Sequence, residues 1–446
     1  MSEYANAKIV SYNLYGERVS ACAARISTTV GNAFELFDAA DDSEASQKLI
    51  GKVLSSGHSS VIEHAVFSLA LKNVSVYVEQ FFIEHRLASF TVKSRRYVDF
   101  GAQGYYIPPE LAGEDREFYR DYMDTLFDAY KKLLDGGIPR EDARFILPYA
   151  LCSSFYCTLN ARELIYMIAQ MKSGRGKNIP ELRAIASELE QQLHALFPSF
   201  EKHLAACERQ CADCASPASA PIGELEFVSR RDAGKVSLLS APQAPQALLS
   251  AALAVTARNI TDPAELIKSV RPRELELLNY SYSVQGITLS GITHLARHRM
   301  QTLLVPELDA LSPARIILPE SIANDPAMYE VYTAAAKNAY AAIKAHESAD
   351  VYKLNRRYFA LSGTLADVVS SMNARELLLF TELRSCLRAQ WEIRDVATDL
   401  LFLLRESFPE VFNAMGPSCF VKGFCPEGRL GCGKMDEIKD KFSGKC

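Results

Sequence analysis

Apolar and polar positions along this chain follow one programme that runs twice. KIVSYNLY, from Lys8, reads as a strand closed by a turn, and GERVSACAARISTT behind it as an apolar helix. HAVFSLALKNVS, from His64, alternates apolar and polar side chains with a period of two, which predicts a half-buried strand. A helix carrying His85-Arg86 is expected next. EDREFYRDYMDTLFDAYKKLLD, from Glu114, places apolar residues at i, i+3 and i+4 and stops at Gly136-Gly137, predicting a long amphipathic helix. PELRAIASELEQQLHALF, from Pro180, predicts an amphipathic closing helix. The second round is KVSLLSAPQAPQALLSAALAVTAR from Lys235, NYSYSVQGITLS from Asn279, DPAMYEVYTAAAKNAYAAIKAH from Asp325 and EIRDVATDLLFLLRESF from Glu392. The mixture predicts an α+β fold with an antiparallel sheet in each half.

Short words recur at one offset. NAREL occupies Asn160–Leu164 and Asn373–Leu377, and 373 − 160 = 213. His85-Arg86 returns as His298-Arg299, and Arg144 of DARFILP falls on Arg357 of NRRYFAL, at the same spacing of 213. A period this long is a whole domain rather than a solenoid repeat, so the chain reads as a tandem duplication. CASPASAPIGELEF, from Cys214, is rich in small residues and lacks periodicity. It places a linker at 215–232 between domains at 1–214 and 233–446.

Composition narrows the partners. At 446 residues, 48% hydrophobic and with a formal net charge of −5, the chain fits two soluble domains with full cores and argues against broad attraction to nucleic acid or membrane. MSEYANAKIV shows no signal-peptide pattern and no apolar run approaches the roughly 20 residues of a span, so a cytoplasmic location is expected. Seven of the 11 cysteines close the two halves: Cys207, Cys211 and Cys214 beside His203, then Cys419, Cys425, Cys432 and Cys446. In a reducing compartment such clusters point to zinc or iron–sulfur thiolates, the alternative being cysteine-bearing tails. The metal candidates are Cys207, Cys211, Cys214, Cys419, Cys425 and Cys432.

Cationic residues gather in three places. EHRLASFTVKSRRYVDF holds His85, Arg86, Ser94, Arg95, Arg96 and Tyr97. Guanidinium forks with a hydroxyl among them suit a phosphate, although a solvated basic helix end has the same composition. ARHRMQT adds Arg297, His298 and Arg299. On the helix opening at Asn373, Arg384 lies three turns on and Arg388 one turn further, either an anion site or a ridge paired with Glu376, Glu382 and Glu392.

These residues together resemble the flavin-dependent thymidylate synthase family, whose pattern runs Arg-His-Arg-x-x-Ser-x-Asn-Glu-x-Ser-x-Arg-Tyr. The first half matches it at His85, Arg86, Ser89, Ser94, Arg96 and Tyr97, and upstream at Gly57, His58, Ser60, Glu63 and His64. Arg144, Asn160 and Arg162 match further on. The second half matches at Arg297, His298, Arg299, Arg357, Asn373, Arg375, Arg384 and AQWEIR at 389–394. The resemblance implies two tandem domains of this family and the methylation of dUMP at C5 to dTMP. The methylene comes from methylenetetrahydrofolate and the hydride from NADPH through FAD. It implies an FAD-binding set of His58, Ser60, His85, Arg86, Asn160, Arg162, Arg297, His298, Arg299, Asn373 and Arg375. For the nucleotide it implies Ser94, Arg95, Arg96, Arg144, Arg357 and Arg384, with Arg384 polarising the uracil in place of a cysteine nucleophile.

The departures complement one another. The first half has Glu84, Thr91-Val92 and Met171 where the family has Arg, Asn-Glu and the activating arginine. The second has Arg271 for the upstream histidine and LLVPELDALS for the Ser-x-Arg segment. Each half keeps what the other lacks, apart from the Asn-Glu pair. The resemblance therefore implies a site composed from both halves, and a homodimer of the fused chain as a four-domain assembly. Thr91-Val92 leaves two other readings open: one-carbon transfer to another pyrimidine nucleotide, or a non-catalytic nucleotide- or metal-binding member.

Overall fold

The computed structural model describes residues 6–41, 44–212, 219–260 and 262–444. The chain divides into two compact units. Met1–Lys131, Leu147–Ser219 and Ala341–Ala360 make the first; Lys132–Ile146, Ala220–Tyr340 and Leu361–Cys446 make the second. Each unit therefore includes one segment from the other half of the sequence, which a linear reading with boundaries at 214 and 233 does not contain.

The first unit is built on strands β1 (Asn6–Tyr12), β2 (Val66–Ser75), β3 (Ser89–Val92) and β4 (Cys152–Asn160). They pair antiparallel in the order β1-β2-β4-β3. Alternation along β2 buries Phe67, Leu69 and Leu71 on one face, as its period-two pattern requires. The helix Pro180–Leu196 runs along edge strand β1, where Glu188 accepts from the amide of Ala7 and Gln192 from that of Ile9. Those side chains satisfy backbone groups that an open edge would leave to water.

The second unit carries β5 (Glu226–Ser229), β6 (Lys235–Ser240), β7 (Asn279–Thr288), β8 (Gln301–Leu304), β9 (Arg315–Leu318) and β10 (Leu365–Asn373). Its main sheet, β6-β7-β10-β8, has the same order and antiparallel pairing as the first. A parallel pair, β5 with β9, is added. β5 lies inside the stretch expected to be a linker; four residues are too short for alternation to stand out.

One duplicated detail shows how local chemistry shapes both sheets. The ladder slips at Asn73 in β2 and at Gly286 in β7, and both residues lie in the left-handed region, at φ 55° and 70°. A bulge of this kind needs a residue that tolerates positive φ, which asparagine and glycine do at least cost. The displaced amide of Gly286 donates to Asp367 at 2.7 Å, and that of Asn73 to Ser154 at 3.4 Å.

Past each bulge the strand hands over to a helix, Val76–Ile83 or Leu289–Leu295, capped by Ser75 or Thr288. Both helices end before the His-Arg words, so these sit in the following turns rather than on a helix as expected. A buried carboxylate clamps each handover. Glu181 accepts from the amide and hydroxyl of Ser75, both at 2.7 Å, and from Tyr358 at 2.9 Å. Glu392 accepts from the amide and hydroxyl of Thr288, both at 2.6 Å. Burial pushes each carboxyl up to about 7, against the lowering effect of these hydrogen bonds and of Arg357 or Arg144.

A stability consequence follows from the sign of that shift. Between the unfolded carboxyl value near 4.5 and the folded value near 7, the folded protein holds more protons than the unfolded chain, so unfolding free energy falls as pH rises through that window. Each group accounts for about 3 kcal/mol across the full window. Urea unfolding of Glu181→Gln and Glu392→Gln at pH 5 and pH 8 should each show a smaller pH difference than the parent. An unchanged difference would mean these carboxyls titrate normally.

Candidate active site

The duplicated NAREL word encodes the same local construction in both units. Asn160 caps the helix Ala161–Lys172 by accepting from the amide of Glu163 at 3.0 Å, and Asn373 caps Ala374–Arg384 through Glu376 at 2.9 Å. Asparagine supplies the acceptor that a helix start lacks. The arginine that follows reaches a glutamate upstream of the central strand. Arg162 pairs with Glu63 at 2.6 Å, and Arg375 pairs closely with Glu276. The glutamate of each word turns inward to a histidine: His85 Nδ1 lies 3.1 Å from Glu163 Oε1, and His298 Nδ1 lies 3.1 Å from Glu376 Oε1.

Here the units diverge. In the second, Arg384 in the last turn of its helix donates from Nε to His298 Nε2 at 2.9 Å. An arginine Nε–H only donates, so Nε2 carries a lone pair; the ring proton sits on Nδ1 and is donated to Glu376. His298 is buried, and Phe380 meets its ring edge-on at 4.9 Å. Burial holds its pKa below the ordinary histidine value, and Arg384 lowers it further, against the opposing effect of the hydrogen bond it donates to Glu376. With Nε2 accepting and Nδ1 donating the imidazole is neutral, and it gives the guanidinium a fixed acceptor at Nε. The first unit keeps the His85–Glu163 pair but has Met171, fully buried, at the position equivalent to Arg384.

The remaining expected residues fall into distinct settings. His58, Ser60 and Arg86 are exposed in the first unit, and Arg297 and Arg299 are exposed on either side of His298 in the second. Ser94 and Arg96 are partly buried, with Ser94 Oγ accepting from the amide of Arg96 at 3.3 Å. Arg95 differs from its expected role as a nucleotide ligand. It is buried and donates to Glu79 at 2.9 Å, while Ser153 also donates to Glu79, so this cation neutralises an interior carboxylate. Arg144 and Arg357 are also buried. Arg144 donates to the carbonyl of Glu141 and Arg357 to that of Leu354, and their charges act on Glu392 and Glu181.

The expected ridge of Arg384 and Arg388 does not form, because the helix ends at Arg384 and Arg388 lies beyond it, exposed. The acidic residues proposed for that ridge are engaged elsewhere: Glu376 with His298, Glu382 with Lys422 and Ser418, Glu392 with Thr288. Composition at i, i+4 spacing could not distinguish these partners. Glu163 was missed as an inward-facing residue, although its recurrence after the capping asparagine marks it.

The described cysteines of the two tails fall into separate groups, and in the second Cys419 lies near enough to Cys386, Cys425 and Cys432 to feel their charge. Cys207 and Cys211 are buried on the helix Glu201–Cys211, where Gln170 of the first NAREL helix donates to Cys211 Sγ at 3.1 Å. Cys419 is buried on the short helix Ser418–Lys422, while Cys425 and Cys432 are partly exposed in the turns that follow. Cys214 lies outside the described residues. Among the described residues, no three His, Cys, Asp or Glu side chains gather so as to hold a metal ion. The zinc or iron–sulfur expectation therefore finds no assembled ligand set there. No described helix is long and apolar enough to cross a membrane.

Comparison with known proteins adds an independent line. The family model described as thymidylate synthase complementing protein matches residues 8–199 and again 238–410. The flavin-dependent thymidylate synthase of Geobacter sulfurreducens is 34% identical over 155 residues, which is 34% of this chain and 66% of that protein. That of Saccharolobus solfataricus is 31% identical over 200 residues, covering 44% of this chain and 75% of that protein. A crystal structure of the UMP/dUMP methylase PolB from Streptomyces cacaoi, bound with 5-Br dUMP, aligns over 45% of this chain and 95% of its own at 23% identity, with a TM-score of 0.40.

Proposed function

Because the chain belongs to the thymidylate synthase complementing protein family, through two matched regions that together span most of its length, we propose that it is a flavin-dependent methyltransferase that converts dUMP to dTMP. In this reading methylenetetrahydrofolate supplies the methylene group and NADPH is the reductant. The observation that carries the proposal is the Arg384–His298–Glu376 chain, which holds a permanent cation in a fixed orientation at the end of the second NAREL helix.

The donor set fits FAD. Arg297 and Arg299 are exposed beside a buried neutral imidazole, and Arg162, exposed, and Arg375, partly exposed, stand in the first turns of helices whose N-termini favour anions. Guanidinium forks of this kind match the oxygens of a diphosphate. When bound, the flavin would carry reducing equivalents from NADPH towards the incoming one-carbon unit. The protein's own task is electrostatic. A guanidinium fixed against a uracil carbonyl stabilises negative charge drawn onto that oxygen, making C5 a better nucleophile without a covalent thiol adduct. His298, neutral and donating to Glu376, keeps Arg384 from turning away without adding a second charge.

The test is anaerobic. The purified protein should be yellow, should be bleached by NADPH, and should form dTMP when the reduced form meets dUMP and methylenetetrahydrofolate. A yellow protein that leaves dUMP untouched but methylates another pyrimidine nucleotide would redirect the reading to that substrate, which the Thr91-Val92 departure would explain. A colourless protein that gains no absorbance from added FAD would overturn it.

A further inference from the structure

We propose that Glu376 is a positioning residue for Arg384, acting through the tautomer of His298; this rests on the reading of Arg384 as the activating cation. Three observations converge. Glu376 Oε1 and Arg384 Nε contact opposite nitrogens of one ring, at 3.1 and 2.9 Å. The ring and the carboxylate are buried, so water is not available to replace either partner. Glu376 and Arg384 stand on one helix, at its first and last turns, with the imidazole between them supplied by the turn after Leu289–Leu295.

The logic is one of proton placement. Neutral imidazole has one N–H and one lone pair, and the two tautomers exchange their positions. With the proton on Nδ1, the carboxylate accepts it and Nε2 is open to the arginine. With the proton on Nε2, two donors face each other at the Arg384 contact, and Nε of the guanidinium loses this acceptor. Glu376 selects the first arrangement. Its own amide is tied to Asn373 Oδ1 at 2.9 Å, so the cap that starts the helix also anchors the residue that sets the tautomer.

The duplication supplies an internal control. Glu163 holds His85 at the same 3.1 Å, but the position equivalent to Arg384 is Met171. The same carboxylate–imidazole pair thus stands once with an activating arginine and once without.

Glu376→Ala should lower kcat for dTMP formation at least about tenfold, as loss of a catalytic group's orientation does, with FAD content retained. The KM for dUMP should stay within about twofold, because ground-state binding is untouched. Glu376→Gln should recover most of the loss, since its amide oxygen still accepts from Nδ1–H. Glu163→Ala should leave kcat near the parent value. Equal losses in Glu376→Ala and Glu376→Gln, or an equal loss in Glu163→Ala, would overturn the proposal. Nitrogen-15 NMR of the labelled histidines provides a readout independent of turnover and of the substrate. His298 should carry its proton on Nδ1 in the parent protein, and shift towards Nε2 in Glu376→Ala. A parent ring protonated on Nε2 would overturn the proposal even if the alanine variant failed to fold. If the parent makes no dTMP but shows the Nδ1 tautomer, the functional reading fails while the positioning of Arg384 stands.

Discussion

Replacing Arg384 with alanine should reduce dTMP formation on the order of 100- to 1000-fold while leaving a yellow, folded protein. The size of the effect comes from geometry rather than charge count. Arg384 is partly buried and its Nε is committed to His298, so its cationic edge has a preferred direction. A preorganised charge in a partly dry setting is worth more to a developing oxyanion than a mobile surface charge, because it needs no reorganisation as the reaction proceeds. Truncation should leave His298 and Glu376 paired, so folding is spared. Arg384→Lys is expected to recover little, because an ammonium lacks the planar fork whose Nε engages His298 and fixes the orientation of the group. Steady-state assays with flavin content measured on the same samples check both variants. An alanine variant with undiminished kcat would remove Arg384 from the chemistry.

Residues 1–219 expressed alone should fail to fold, as should 220–446, whereas the two fragments produced together should recover the native protein. The physical cause is the pair of segments that each unit takes from the other half. The first unit depends on Ala341–Ala360. From that segment Tyr358 donates to buried Glu181, and Phe359 meets Tyr119 at 5.3 Å and Tyr122 at 4.8 Å. The segment also puts His346 on Phe118 at 3.7 Å, and the carbonyl of Phe359 accepts from the Tyr122 hydroxyl. The second unit depends on Lys132–Ile146. There Phe145 and Ile146 are fully buried, and Asp142 accepts from Trp391 Nε1 and from Ser321 Oγ. Losing one large buried side chain costs about 3–5 kcal/mol, and whole domains are stable by only about 5–15 kcal/mol. Each fragment lacks several such side chains at once and leaves a buried carboxylate or indole short of a partner. A cooperative thermal transition in the 1–219 fragment alone would show that the exchanged segment is dispensable.

These two expectations draw on different levels of the molecule. The duplication, the α+β class and the antiparallel sheets were legible in the chain, because periodicity is a local property: β2 and β7 alternate over 10 residues, and the NAREL helices announce their caps. The cationic set was legible as a set, through its match to a family pattern. Its division of labour was not. Arg95 reads like a phosphate ligand beside Arg384, yet the fold buries it against Glu79, and Arg144 and Arg357 are buried where their charges act on Glu392 and Glu181. A linear pattern records that a guanidinium is present but not whether it is buried or, for Arg95, which carboxylate faces it.

The sequence by itself determined the repeated building plan, the family and the helix that opens at Asn373 and carries Arg384, because each of these depends on residues close together in the chain or on motif order. Tertiary structure alone decided three other things: that His298 arbitrates between Glu376 and Arg384, that the His-Arg words lie in turns, and that each unit needs a segment from the other half. Those outcomes depend on contacts between residues 78 to 249 positions apart, such as His298 with Glu376 and Trp391 with Asp142, and such contacts are selected by burial and hydrogen-bond satisfaction in the folded core.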